Sequence, residues 1–131
     1  MVTDDMLRQI RAVLEKGWSA DTAYRSTEYT GTPKSYGQCY VTARIMHEIF
    51  GWDIMINKKP PNNHYWNRTP DGREVDFTSD QAGGNGFDPF LTGKLSKRKY
   101  KPCREVKNQR LNHYYERVCG ELLKKLKVGE L

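Results

Sequence analysis

Cys39, His64 and Asp76 are the residues whose types and order fit nucleophilic chemistry. The histidine follows the cysteine by 25 residues and the aspartate follows the histidine by 12. A thiolate can attack a carbonyl, an imidazole can carry the proton, and a carboxylate can hold that imidazole in one tautomer. Cys39 follows Gly37-Gln38 and opens a helix-like segment. There, several backbone N–H groups lack intrahelical partners and the helix dipole favours an anion. That setting makes the thiolate more available and places donors where an oxyanion would develop. The competing reading is a small buried cysteine on an apolar helix face, and the position at the helix start weighs against it.

His64 and Asp76 are tied by the turn between them, Thr69-Pro70-Asp71-Gly72. Proline presets the first turn dihedral and glycine accepts a positive φ, which predicts a hairpin with strands at about 64–69 and 73–78. With Trp66 opposite Asp76, residues 64 and 76 are diagonal neighbours on one sheet face, and a one-residue slip would part them. Gly37, Gln38 and Trp66 are the candidates for substrate and oxyanion contacts, with Gly37 allowing close approach of substrate to the backbone. His47, His113, Cys103 and Cys119 read as surface or packing residues. A structural zinc site would want a fourth ligand, and no second cysteine lies close in sequence, so neither a metal nor a cofactor is expected.

These residues need elements to position them. The spacing predicts a helix over 4–16, with Thr3 as N-cap, Met6, Leu7, Ile10, Val13 and Leu14 on one face, and Gly17 as the stop. Ser19 caps a short helical turn, with Trp18 packing inward. Residues 27–37 form a turn-rich loop that delivers the chain to a second helix over 39–50, closed by Gly51. A strand at 52–56 and a loop at 58–62 precede the hairpin, and a glycine-rich loop covers 79–91. A last helix is expected from Pro102 to Leu126. The order gives an α+β fold: N-terminal helices and the cysteine-bearing helix packed on a small antiparallel sheet, with a long C-terminal helix.

At 131 residues the chain fits one domain, with its core in 17–81 and a basic helical segment over 94–127. Charged residues are 29% and hydrophobic ones 37%, a polar composition that still leaves three Trp, eight Tyr and four Phe to pack, so disorder is excluded. No apolar run approaches the roughly 20 residues of a membrane span, and no membrane association is expected. Three cysteines without a Cys-x-x-Cys pair, and an acidic Met1-Val2-Thr3-Asp4-Asp5 start, suggest a reducing, cytoplasmic setting.

The net charge of +6 is concentrated between Lys94 and Arg110, where eight Lys or Arg face one acid, Glu105. Lys97, Arg98, Lys99, Lys101 and Arg104, with Lys107 and Tyr100, are candidates for anion binding, and the plainer alternative is a solvated helix face.

Gly37-Gln38-Cys39 before a helix, His64-Tyr65-Trp66-Asn67, and the run Gly72 to Gln81 resemble the pattern of small YunG-like bacterial proteins. More distantly they resemble the papain-like and transglutaminase-like superfamily. That resemblance covers residues 17–81 and implies a papain-like core, with Cys39 as nucleophile, His64 as general base and acid, and Asp76 as the orienting residue. The leading expectation is a thiol-dependent acyl-transfer enzyme (peptidase, amidase, deamidase or transglutaminase-type) acting on a peptide or another amide. The alternative is a non-catalytic module that uses residues 94–110 to hold nucleic acid or an acidic protein.

Overall fold

The structure is a computed structural model that describes residues 1–59 and 62–127. Helix α1, Asp4–Gly17, begins at Thr3, whose hydroxyl accepts from the Met6 N–H at 3.2 Å. Leu7, Ile10, Val13 and Leu14 are buried, the stripe expected from their three- and four-residue spacing. Gly17 is the point of closest approach to the last helix. A Cβ there would lie 2.6 Å from Val118 Cγ1, so any larger residue pushes the two helices apart.

Helix α2, Cys39–Phe50, ends at Gly51 in the left-handed conformation. The strands are β1 (Asp53–Lys59), β2 (Asn62–Arg68), β3 (Glu74–Val75) and β4 (Lys94–Leu95), in the order β3-β2-β1-β4, all antiparallel. Three helices and this small four-stranded antiparallel sheet make an α+β fold. Helix α3, Gln109–Lys127, packs against α1 and α2. The core joins Leu7, Ile10 and Leu14 of α1 to Val41, Ile45 and Met46 of α2, and to Leu111, Tyr114, Val118 and Leu122 of α3. It therefore extends well outside 17–81.

The hairpin register matches the expected one. Asn67 pairs with Val75 and Arg68 with Glu74, the ladder that sets Trp66 opposite Asp76 one step on. The ladder stops before that step. The Asp76 N–H donates to the Phe87 carbonyl at 2.7 Å, and residues 79–82 turn into a short 3₁₀ segment, so β3 is two residues long rather than six.

Two other expectations are corrected. Lys58, Lys59 and Asn62 belong to strands that pair up to Lys59–Asn62, while the Pro60-Pro61 part of the expected loop lies outside the described residues. The last helix starts at Gln109, not Pro102, because the Asn108 side chain caps it by accepting from the Leu111 N–H at 3.1 Å. Residues 94–101 are instead an edge strand and an extended strap, followed by a single 3₁₀ turn over Cys103–Glu105.

Candidate active site

Cys39 is the first residue of α2 and is partly exposed. The N-cap Gln38 makes no side-chain hydrogen bond to the helix start, so the first-turn N–H groups are left for solvent or a ligand at the thiol. Gly37 has φ +72°, and a Cβ there would lie 2.7 Å from the Tyr24 carbonyl oxygen. The glycine admits the Tyr24 backbone, with the Tyr24 N–H donating to the Gly37 carbonyl at 2.8 Å. The Tyr24 backbone by itself requires glycine here, and Gly37 also lines the cavity that contains Cys39 and His64.

His64 stands on β2 facing Asp76, and its Nε2 lies 2.7 Å from Asp76 Oδ2. The other carboxylate oxygen accepts from the Thr78 N–H at 3.0 Å and the Thr78 hydroxyl at 2.9 Å. Gln81 extends the network: its Nε2 donates to Thr78 Oγ1 at 3.1 Å, and its Oε1 accepts from the Gly37 N–H at 3.2 Å. One hydrogen-bonded chain thus joins the loop before Cys39 to the carboxylate behind His64. Arg11 of α1 anchors that chain from below, donating to the Phe77 carbonyl at 2.7 Å and to Asp80 at 2.9 Å.

With Nε2 engaged by Asp76, Nδ1 is the ring nitrogen left free on the side of the cavity that Cys39 and His64 share. Burial, the largest single influence on His64, disfavours its charge. The Asp76 carboxylate and the Cys39 group outweigh it and raise the histidine to about 9. The ring is also fixed sterically, with its centroid 5.6 Å from Trp66 on one side and 4.8 Å from Phe90 on the other. Cys39 and His64 open into one cavity of about 600 Å³, walled by tyrosines including Tyr24, Tyr36 and Tyr40.

Two expected contacts take other roles. Gln38 is fully buried, accepts from Thr22 Oγ1 at 2.7 Å and donates Nε2 to the Ser19 carbonyl at 2.9 Å, so its amide holds the preceding turn and does not line the cavity. Trp66 is buried as well, donates to Glu74 at 2.8 Å and supports the imidazole from behind. Thr78, Gln81 and Phe90 were not singled out from the sequence. The polar run Thr78-Ser79-Asp80-Gln81 directly after Asp76 was the available signal for the first two.

Of the basic residues, Arg98, Lys99 and Lys101 line a second cavity of about 390 Å³, whereas Lys97 and Arg104 do not. Arg104 lies over the Tyr115 ring, 5.5 Å from its centroid. Tyr100 presents no free face for a base, since Arg44, Arg98 and His47 surround its ring. Among the described residues, no helix is long and apolar enough to cross a membrane.

The family described as YunG protein matches residues 6–127, and the chain belongs to that family. It is 31% identical over 75 residues to the uncharacterized protein YunG of Bacillus subtilis (strain 168), an alignment that takes in 57% of this chain and 62% of that relative. No solved structure matches the chain.

Proposed function

We propose that this YunG-family chain is a thiol-dependent acyl-transfer enzyme acting on a peptide or another amide. The observation that carries the reading is the 2.7 Å carboxylate–imidazole bond of Asp76 and His64 on the same cavity as the Cys39 thiol at the start of a helix. Cys39 Sγ attacks the amide carbonyl carbon, and the first-turn N–H groups of α2 receive the developing oxyanion. The imidazolium gives its Nδ1 proton to the departing amine nitrogen as the C–N bond breaks, leaving a thioester. Water or an amine then attacks the thioester, His64 takes its proton, and the thiolate leaves. Asp76 keeps its charge throughout and orients the ring. The likeness of Gly37-Gln38-Cys39, His64 and Asp76 to the papain-like and transglutaminase-like pattern supports the same assignment.

Competitive alkylation tests it. Iodoacetamide at neutral pH, followed by peptide mass spectrometry, should modify Cys39 at least about tenfold faster than Cys119. Cys103 should be slowest, because burial and then Glu48 push its thiol up to about 12. Equal rates at all three thiols would remove the activated nucleophile and with it the reading.

A further inference from the structure

We propose that the second cavity binds an oxyanion group, a carboxylate or a phosphate, on the buried guanidinium of Arg44. Arg44 is 3% exposed and lines that cavity. Its Nη1 donates to the Tyr40 hydroxyl at 2.7 Å and its Nη2 to the Lys101 carbonyl at 2.6 Å, while Nε has no partner. No carboxylate lies within 4 Å of the group among the described residues, and arginine cannot shed its proton. The Tyr40 and Tyr100 rings, with centroids 5.7 and 4.8 Å from the guanidinium carbon, cushion the charge without neutralising it.

A buried charge of this kind calls for a counter-ion. Around it the cavity gathers Arg98, Lys99, Lys101 and Lys107 against one acid, Glu105. A planar fork with a vacant N–H suits a two-oxygen acceptor, which both carboxylate and phosphate supply. Tyr40 and Arg98 line this cavity and the Cys39 cavity alike. The anion site therefore fits a charged end of the amide proposed above. That assignment to the substrate rests on the thiol reading, whereas the anion site itself does not.

The test reads binding without turnover, so its outcome is independent of whether Cys39 is a nucleophile. The Arg44 Nε–H resonance of the full chain is followed by ¹H–¹⁵N NMR during titration with sodium phosphate and, separately, sodium acetate, at ionic strength held constant with sodium chloride. A saturable shift is expected. Saturation by phosphate alone assigns a phosphoryl group, and saturation by acetate as well assigns a carboxylate. Arg98→Gln with Lys99→Gln, both on the exposed strap, should weaken the apparent affinity about tenfold. Lys34→Gln, an exposed cation outside the cavity, should leave it unchanged. A resonance that does not saturate with either anion, or an equal loss in the Lys34 variant, overturns the proposal.

Discussion

Asp76 and Arg44 are the two charged side chains that are buried among the described residues, at 2% and 3% exposure, and the fold treats them in opposite ways. Asp76 has every partner it needs within the chain: an imidazole on one oxygen and two Thr78 donors on the other. Arg44 has two neutral acceptors, two aromatic rings and a vacant N–H. A satisfied buried charge is a device already assembled, so what it acts on must enter beside it, at Cys39. An unsatisfied one marks a place the chain alone leaves incomplete.

The largest effect that would break this contrast is kinetic. Asp76→Asn keeps the shape and most of the hydrogen bonds but cannot hold a charged imidazole. The rate of Cys39 acylation should fall by about 10²–10⁴, with unfolding free energy changed far less. Stopped-flow acylation together with urea unfolding checks both halves. A drop under about tenfold would mean that the carboxylate is structural.

The pH profile sharpens the same side of the comparison. His64 is raised to about 9 in the folded protein against an ordinary 6.5, so the charged ring predominates at neutral pH. The rate of amide cleavage should decline as pH rises through about 9, where the proton for the leaving nitrogen is lost. In Asp76→Asn that limb should move to lower pH, because one of the influences raising the histidine is gone. Stability follows the same sign. The contribution of the protonated ring is complete below about 6.5 and is lost as pH climbs through 9, so unfolding free energy should fall across that window. A limb that stays in place in the variant would detach the shift from Asp76.

The two charges also differ in how far the sequence revealed them. Asp76 was legible because local rules place it: the Pro70-Asp71-Gly72 turn sets the register, and the register sets the diagonal with His64. Cys39 was legible from the helix start for the same reason. Arg44 was not. On α2 it reads as one polar residue of a helix, and it is covered by Tyr40 of that helix and by the 96–101 strap, whose Lys101 carbonyl accepts a hydrogen bond from its Nη2 57 positions along the chain. The strap falls in the basic segment 94–127 expected to be helical, since its lysines and arginines carry no alternating pattern to show that Lys94-Leu95 pairs with Ile56 and Met55. Gln38, a candidate oxyanion contact, instead turns its amide to Thr22 and the Ser19 carbonyl, because consecutive residues at a helix start point in different directions.

The smallest predicted effect bears on Arg44 itself. Arg44→Met keeps the length and packing of the stem while removing a charge that no carboxylate among the described residues pairs with inside 4 Å. Two hydrogen bonds from a charged donor are lost, at about 1.5–3 kcal/mol each, and about 1 kcal/mol of cation–π attraction goes with them. Against this, the desolvation of an isolated guanidinium, several kcal/mol in a real protein interior, is no longer incurred. The two sides nearly cancel, so urea unfolding in chloride should place the variant within about 1 kcal/mol of wild type. By contrast, Asp76→Val, which takes the acceptor from His64 and from both buried Thr78 donors, should cost about 3–5 kcal/mol. Adding the anion that saturates the Arg44 resonance should then stabilise wild type and leave Arg44→Met where it was, since only a protein that binds the anion in its folded state gains from it. If Arg44→Met were as damaging as Asp76→Val in chloride, Arg44 would be a completed structural charge like Asp76, and the contrast between them would be lost.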